Sequence, residues 1–106
     1  MKWNIQYLKK ADEDLENLDG SQRNQVVAAI DKVAENPLPK SEGGYGNPLG
    51  NKSSNNLTGY CKIKLLKLGL RVVYEVRRTD EIMKIIVISV RSDDEVYKIA
   101  NRRISN

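Results

Sequence analysis

Lys62, Lys64 and Arg71 are the residues of this chain whose types and spacing could do chemistry. They lie in the run Gly59-Tyr60-Cys61-Lys62-Ile63-Lys64-Leu65-Leu66-Lys67-Leu68-Gly69-Leu70-Arg71-Val72-Val73-Tyr74-Glu75-Val76. Side chains alternate across a strand, so Lys62 and Lys64 share one face while Cys61, Ile63 and Leu65 take the other. A turn around Lys67 to Gly69 would return Arg71 to that pair. Three cations on one face of a hairpin repel each other and call for an anionic partner, for which a nucleic-acid phosphate is the first candidate.

The rest of the composition narrows the chemistry. The chain has 106 residues, no histidine and one cysteine, Cys61. Histidine-based triads are thereby excluded, no metal or other cofactor is expected, and an internal disulfide cannot form. Acid–base work must fall to lysine, arginine, tyrosine or carboxylates. The net charge of +4 is unevenly spread. Residues 1–51 hold six Lys/Arg against eight Asp/Glu, and residues 52–106 hold twelve against six. The basic half contains the hairpin and the C-terminal segment, as in proteins with a nucleic-acid contact surface. No apolar run approaches membrane-spanning length and no signal peptide is evident, so a cytoplasmic protein without membrane contact is expected.

The elements that must position these cations follow from periodicity. Trp3 to Tyr7 alternates like a short strand. Lys9 to Asn17 reads as a helix, with Leu8, Ala11, Leu15 and Leu18 at helical spacing. Gly20 suits a left-handed helix stop and Ser21 a cap for a second helix carrying Val26, Val27, Ile30, Val33 and Ala34. Asn36-Pro37-Leu38-Pro39 ends that helix. Residues 36–57 are rich in Gly, Asn, Ser and Pro and read as a mobile loop, with Tyr45, Leu49 and Leu57 available to pin it. Three strands are expected at Thr58–Leu65, Leu70–Arg77 and Met83–Val90. A helix capped by Asp93-Asp94 then reaches Asn101 or a little beyond, with Val96, Ile99 and Ala100 inward. The expectation is one α+β domain over residues 1–106: an antiparallel sheet, an N-terminal helix hairpin and a C-terminal helix, in the order β-α-α-β-β-β-α.

The central hairpin, the helix end at Ala34-Glu35-Asn36-Pro37 and the closing Val87-Ile88-Ser89-Val90-Arg91 and Glu95-Val96-Tyr97 resemble the RelE family of bacterial toxins. The resemblance covers nearly the whole chain. It implies a ribosome-dependent messenger-RNA endonuclease, the toxin of a type II toxin–antitoxin pair. The partners implied are a RelB-like antitoxin, the ribosome and mRNA, with any DNA contact made only through the antitoxin complex. The family's two-lysine motif falls on Lys62 and Lys64, and its post-turn arginine on Arg71. Arg91 and Tyr97 keep the family's six-residue interval, although the Gly-Lys step that usually precedes the arginine is absent. The implied reaction is attack of the ribose 2′-hydroxyl on the adjacent phosphate without metal. One lysine would take the 2′ proton, its basicity lowered by neighbouring cations, and the other would hold phosphate. Arg71 would clamp the transition state, Arg91 would bind phosphate or assist the leaving group, and Tyr97 would stack on a base or orient the 2′-hydroxyl. Lys67, Lys98, Arg102 and Arg103 would extend the surface toward RNA or ribosome.

Each residue also has a plainer reading. Lys62 and Lys64 could be a solvated strand face, Arg71 could pair with Glu75, and Arg91 with Asp93 or Asp94. Tyr97 could be core with its hydroxyl at the rim. Two other functions stay open: a ParE-like toxin that inhibits DNA gyrase, and a toxin homologue that binds antitoxin without cutting.

Overall fold

The computed structural model describes residues 2–52, 55–90 and 93–105. Its elements are β1 (Asn4–Tyr7), α1 (Lys9–Glu16), α2 (Gly20–Val33), a 3-10 turn (Lys40–Glu42), β2 (Asn47–Lys52), β3 (Asn55–Leu65), β4 (Leu70–Arg77), β5 (Ile82–Ser89) and α3 (Asp93–Ser105). The strands form one five-stranded sheet in the order β1-β5-β4-β3-β2. The α+β class expected from sequence holds, with two differences in the sheet. It is mixed, because β1 runs parallel to β5 (Ile5 opposite Met83) while the other pairs are antiparallel. A parallel neighbour needs a crossover connection, here the helix pair together with the β2–β5 meander. The second difference is an added strand in the segment expected to be a loop.

That segment, 36–57, contains the 3-10 turn, β2 and the start of β3. No alternation marks β2, since its sequence is Asn-Pro-Leu-Gly-Asn-Lys, so periodicity had nothing to detect. The segment is fastened by specific contacts. Tyr74 Oη donates to the Pro37 carbonyl at 2.8 Å, and Arg78 grips both Glu42 oxygens at 2.6 Å. Gly46 lies so close to Tyr74 that a Cβ there would sit 2.5 Å from the phenol oxygen. Leu49 and Leu57 are buried as expected, but the Tyr45 side chain is half exposed, and that residue holds the segment through its N–H, which donates to the Asn36 carbonyl at 2.9 Å.

The link between α1 and α2 also differs from its sequence reading. Gly20 is the first residue of α2, and Asp19 rather than Ser21 is the cap. The Asp19 carboxylate accepts from the Gln22 N–H at 2.8 Å, while the Gln22 side chain accepts from the Asp19 N–H at 3.4 Å. This reciprocal box satisfies the leading N–H groups of α2, and Gly20 sits inside that helix rather than at a left-handed stop. The carbonyls at the end of α1 are met by Arg23, which donates to Leu15, Glu16 and Leu18.

Two apolar layers flank the sheet. The helix pair covers Cys61, Leu70, Val72, Tyr74, Met83, Ile85 and Ile88, and α3 covers Leu49, Leu57, Val73, Ile86 and Val87 on the opposite face. The uninterrupted apolar run in β5 follows from this double cover. The β4–β5 register jumps from Val73–Val87 to Tyr74–Ile85, leaving Ile86 as an extra residue. That bulge lets Ile86 and Val87 both face α3. A second irregularity lies between β2 and β3, where Gly50 and Gly59 adopt φ of +61° and +89°. After it, Tyr60, Lys62 and Lys64 lie toward α3.

Candidate functional site

The β3–β4 register settles which side chains can meet. Lys64 is directly opposite Arg71, and Arg71 is directly opposite Ser89 on β5. Residues paired in this way hold their Cβ atoms about 4.5–5.5 Å apart. Lys64, Arg71 and Ser89 therefore form one row across three strands at the open end of the face that α3 covers. Lys62, opposite Val73, lies one step further in on the same face. The hairpin turn comes at Leu66–Gly69, with Gly69 at φ +65° as the left-handed residue that closes it.

Tyr97 reaches this row from α3. Its ring is 5% exposed, packed with Val96 and Ala100 over Leu57, Val73 and Ile86. The Lys62 ammonium donates to the Tyr97 hydroxyl at 3.0 Å. It lies 5.7 Å from the ring centroid, at the hydroxyl end, so the hydrogen bond rather than a cation–π contact describes the pair. Four of the five residues expected at the reactive centre thus occupy one face: Lys62 half-buried, Lys64 exposed, Arg71 half-buried, and Tyr97 buried behind them. Arg91, the fifth, lies outside the described residues. With its ring enclosed, Tyr97 offers a hydroxyl and no free aromatic face for a base to stack upon.

The outer cations divide. Lys67 is exposed in the hairpin turn, and Lys98 and Arg102 are exposed on α3. Arg103 is committed inside the protein. It donates to both Asp14 oxygens at 2.7 and 3.2 Å and to the Ile86 carbonyl at 2.8 Å, while Asp14 also accepts from the Ile88 N–H at 3.0 Å. The physical cause lies in β5. Its pairing with β1 ends at Tyr7–Ile85, so the main chain beyond the bulge presents polar groups that Arg103 and Asp14 satisfy. Spacing on α3 could not have distinguished Arg102 from Arg103.

Two neighbours of the site carried no role in the sequence reading, Ser89 and Tyr60, while Glu75 was named there only as a pairing partner for Arg71. Ser89 ends an apolar strand and carries no signal of its own. Tyr60 lies opposite Glu75, and burial first, then the charge of Glu75, pushes its phenol above the ordinary value, so it stays neutral. Burial likewise raises the Cys61 thiol on the opposite face of the sheet. Among the described residues no group of three or more carboxylate or cysteine side chains is placed to hold a metal ion. The same residues include no helix long and apolar enough to cross a membrane.

Known proteins can be set against this geometry. The fold matches a double-arginine mutant of E. coli toxin RelE in its free state, with 25% identity over 98% of this chain and 99% of that one and a TM-score of 0.77. It also matches the toxin–antitoxin complex RelBE2 from Mycobacterium tuberculosis (20% identity, 86% of this chain and 100% of that one, TM-score 0.68). The intact E. coli RelBE toxin–antitoxin complex is similar at 19% identity, over 85% of this chain and 98% of that one, with a TM-score of 0.65. No curated protein matches the sequence significantly. The sequence model for the ParE toxin of the type II toxin–antitoxin system parDE matches residues 5–97, which run from the first strand to the tyrosine at the site. On that match and this fold, the chain belongs to the ParE toxin family, within the RelE/ParE superfamily of type II toxins.

Proposed function

We propose that this toxin is a ribosome-dependent mRNA endonuclease and that Lys62, Lys64, Arg71 and Tyr97 carry the cut. The observation that supports this most is the Lys64–Arg71 pairing beside the Lys62–Tyr97 hydrogen bond: two cations directly opposite each other on neighbouring strands, and a third tied to a phenol on the same face. Lys64 and Arg71 suit the two non-bridging oxygens of a phosphodiester, with the planar guanidinium taking both where geometry allows. The Lys62–Tyr97 pair, beside that grip on the same face, would meet the 2′-hydroxyl. There Lys62 can hold the phenol oxygen in place, and the pair can orient and relay the 2′ proton.

The step balances without a further reactant. The 2′-oxygen bonds to phosphorus, the 5′-oxygen leaves, one proton is taken from the former and one is given to the latter. The products are a 2′,3′-cyclic phosphate and a 5′-hydroxyl. Donors aimed at the developing phosphorane charge are worth about 10²–10³ in rate each, and acid–base help about 10²–10⁴. Arg91 keeps the role that the family resemblance implies, binding phosphate or assisting departure of the leaving group. A small site of this kind gains most when something else fixes the RNA in an in-line geometry, which is the part assigned to the ribosome. A RelB-type antitoxin is the proposed partner, since related toxins are found in complex with RelB or its peptide. Its contact with the basic face would neutralise the cluster.

A second reading has its own support. The matching family is described as ParE toxin, so inhibition of DNA gyrase by protein contact is the alternative. The two separate in a reconstituted assay. The mRNA reading expects loss of intact message in a translation mixture and no effect on supercoiling by purified gyrase. Supercoiling inhibition with intact message would select the other.

A further inference from the structure

Between α1, the end of β5 and α3 lies a cavity of about 310 Å³, lined by Lys10, Asp14, Ser89, Ile99, Arg102 and Arg103, with Val87 and Ile88 as its floor. Its charge is not balanced. Asp14 is consumed by Arg103 at 2.7 Å, whereas Lys10 and Arg102 make no hydrogen bond or ion pair with any described residue. Two cations from different helices therefore face one opening in which Asp14, the carboxylate among its described lining residues, is already paired with Arg103. Ser89 is a wall of this cavity and is also the residue opposite Arg71. The cavity and the Lys64–Arg71 row are thus the two sides of a single strand end.

We propose that this cavity is a phosphate subsite for the same RNA strand, holding the backbone group next to the one gripped by Lys64 and Arg71. Lys10 and Arg102 supply the charge, Arg103 and Asp14 hold the walls in position, and Ile99 with the β5 floor gives the sugar an apolar surface. The inference rests on the RNA-cleaving reading above and extends it, giving the strand a direction across the protein: from the sheet face, past Ser89, to the gap between α1 and α3. It also separates two adjacent arginines, Arg102 toward RNA and Arg103 toward the fold.

The test is the salt dependence of binding to a short fluorescent single-stranded RNA whose 2′-O-methyl groups prevent cleavage. For single strands, log affinity falls against log salt with a slope near −0.7 per neutralised phosphate. The Lys10→Ala/Arg102→Ala protein is expected to bind several-fold more weakly, with a slope shallower by about 0.7, and Lys10→Arg to restore the wild-type value. Lys32→Ala, on the opposite side of the protein, should change neither. Unchanged affinity and slope in the double variant, with Lys64→Ala/Arg71→Ala still weakening binding, would overturn the subsite and leave the RNA reading standing. If neither double variant alters RNA binding, the RNA reading itself fails and the subsite fails with it.

Discussion

Replacing Arg103 by alanine should cost far more than its place on a terminal helix suggests. Its guanidinium makes two contacts with Asp14 and one with the Ile86 carbonyl, and the pair's side chains are only 14% and 20% exposed. Removal leaves a mostly enclosed carboxylate with the Ile88 N–H as its remaining donor among the described residues, and it takes the side-chain donor from a strand carbonyl at the bulge. Breaking a buried pair from one side costs about 3–5 kcal/mol. The residual exposure here moves the expectation to the lower end, about 2–3 kcal/mol. For a chain of this length that corresponds to a melting point lower by roughly 8–20 °C. Urea unfolding of the wild type, Arg103→Ala, Asp14→Ala and the double variant would measure it, with a coupling energy of about 1.5 kcal/mol or more expected from the cycle. Arg103→Ala should also loosen α3 and with it the Lys62–Tyr97 contact, read as faster amide exchange along residues 96–100. Loss of less than about 0.5 kcal/mol, the range of an ordinary surface substitution, would refute the idea that this pair ties α3 to α1 across β5.

The remaining predictions concern separate parts of the molecule. Asp19→Ala removes the capping box and should lower stability by about 1 kcal/mol, whereas Ser21→Ala should be near neutral; thermal melts of both suffice. Gly46→Ala should be among the most damaging small substitutions, at about 1–3 kcal/mol, because its Cβ would press on Tyr74, the Pro37 carbonyl and Cys61. Burial, then the neighbouring Cys61, holds the Tyr74 phenol well above its ordinary range. A raised acid pKa gives stability that is complete below the unfolded value, about 10, and is lost as pH rises from there toward the folded value. Unfolding free energy should therefore fall on the alkaline side, and Tyr74→Phe should flatten that limb while costing about 1 kcal/mol at neutral pH through the undonated Pro37 carbonyl.

Much of the site was legible because a strand's period of two is rigid. Once Lys62, Lys64 and Arg71 were placed on one hairpin, the shared face followed, and the register needed only the turn at Gly69. Tyr97 was reachable through its interval from Arg91 in the family resemblance, but its hydrogen bond to Lys62 depends on how α3 lies across the sheet, which no local pattern encodes. The errors share a physical origin. β2 is built from Asn, Pro and Gly and is a strand because β3 pairs with it, so tertiary pairing overrode composition. Asp19 and Ser21 are both good caps, and the choice was made by Gln22, three residues after Asp19, completing the box. Arg103 differs from Arg102 only by facing a bulge whose polar main chain needed partners. The parallel β1–β5 pairing is likewise a property of the whole chain path, not of either strand.

Whether this basic face cuts RNA on the ribosome, as proposed, is read out by primer extension. A defined messenger would be incubated with purified ribosomes and either the wild-type toxin, Lys62→Ala/Lys64→Ala, Arg71→Ala or Tyr97→Phe. Ribosome-dependent cuts bearing 5′-hydroxyl ends are expected, weakened about 10²–10³-fold by Arg71→Ala and to a lesser degree by Tyr97→Phe. Folded wild-type protein that leaves the message intact on ribosomes, or variants that cut as well as wild type, would contradict the proposal.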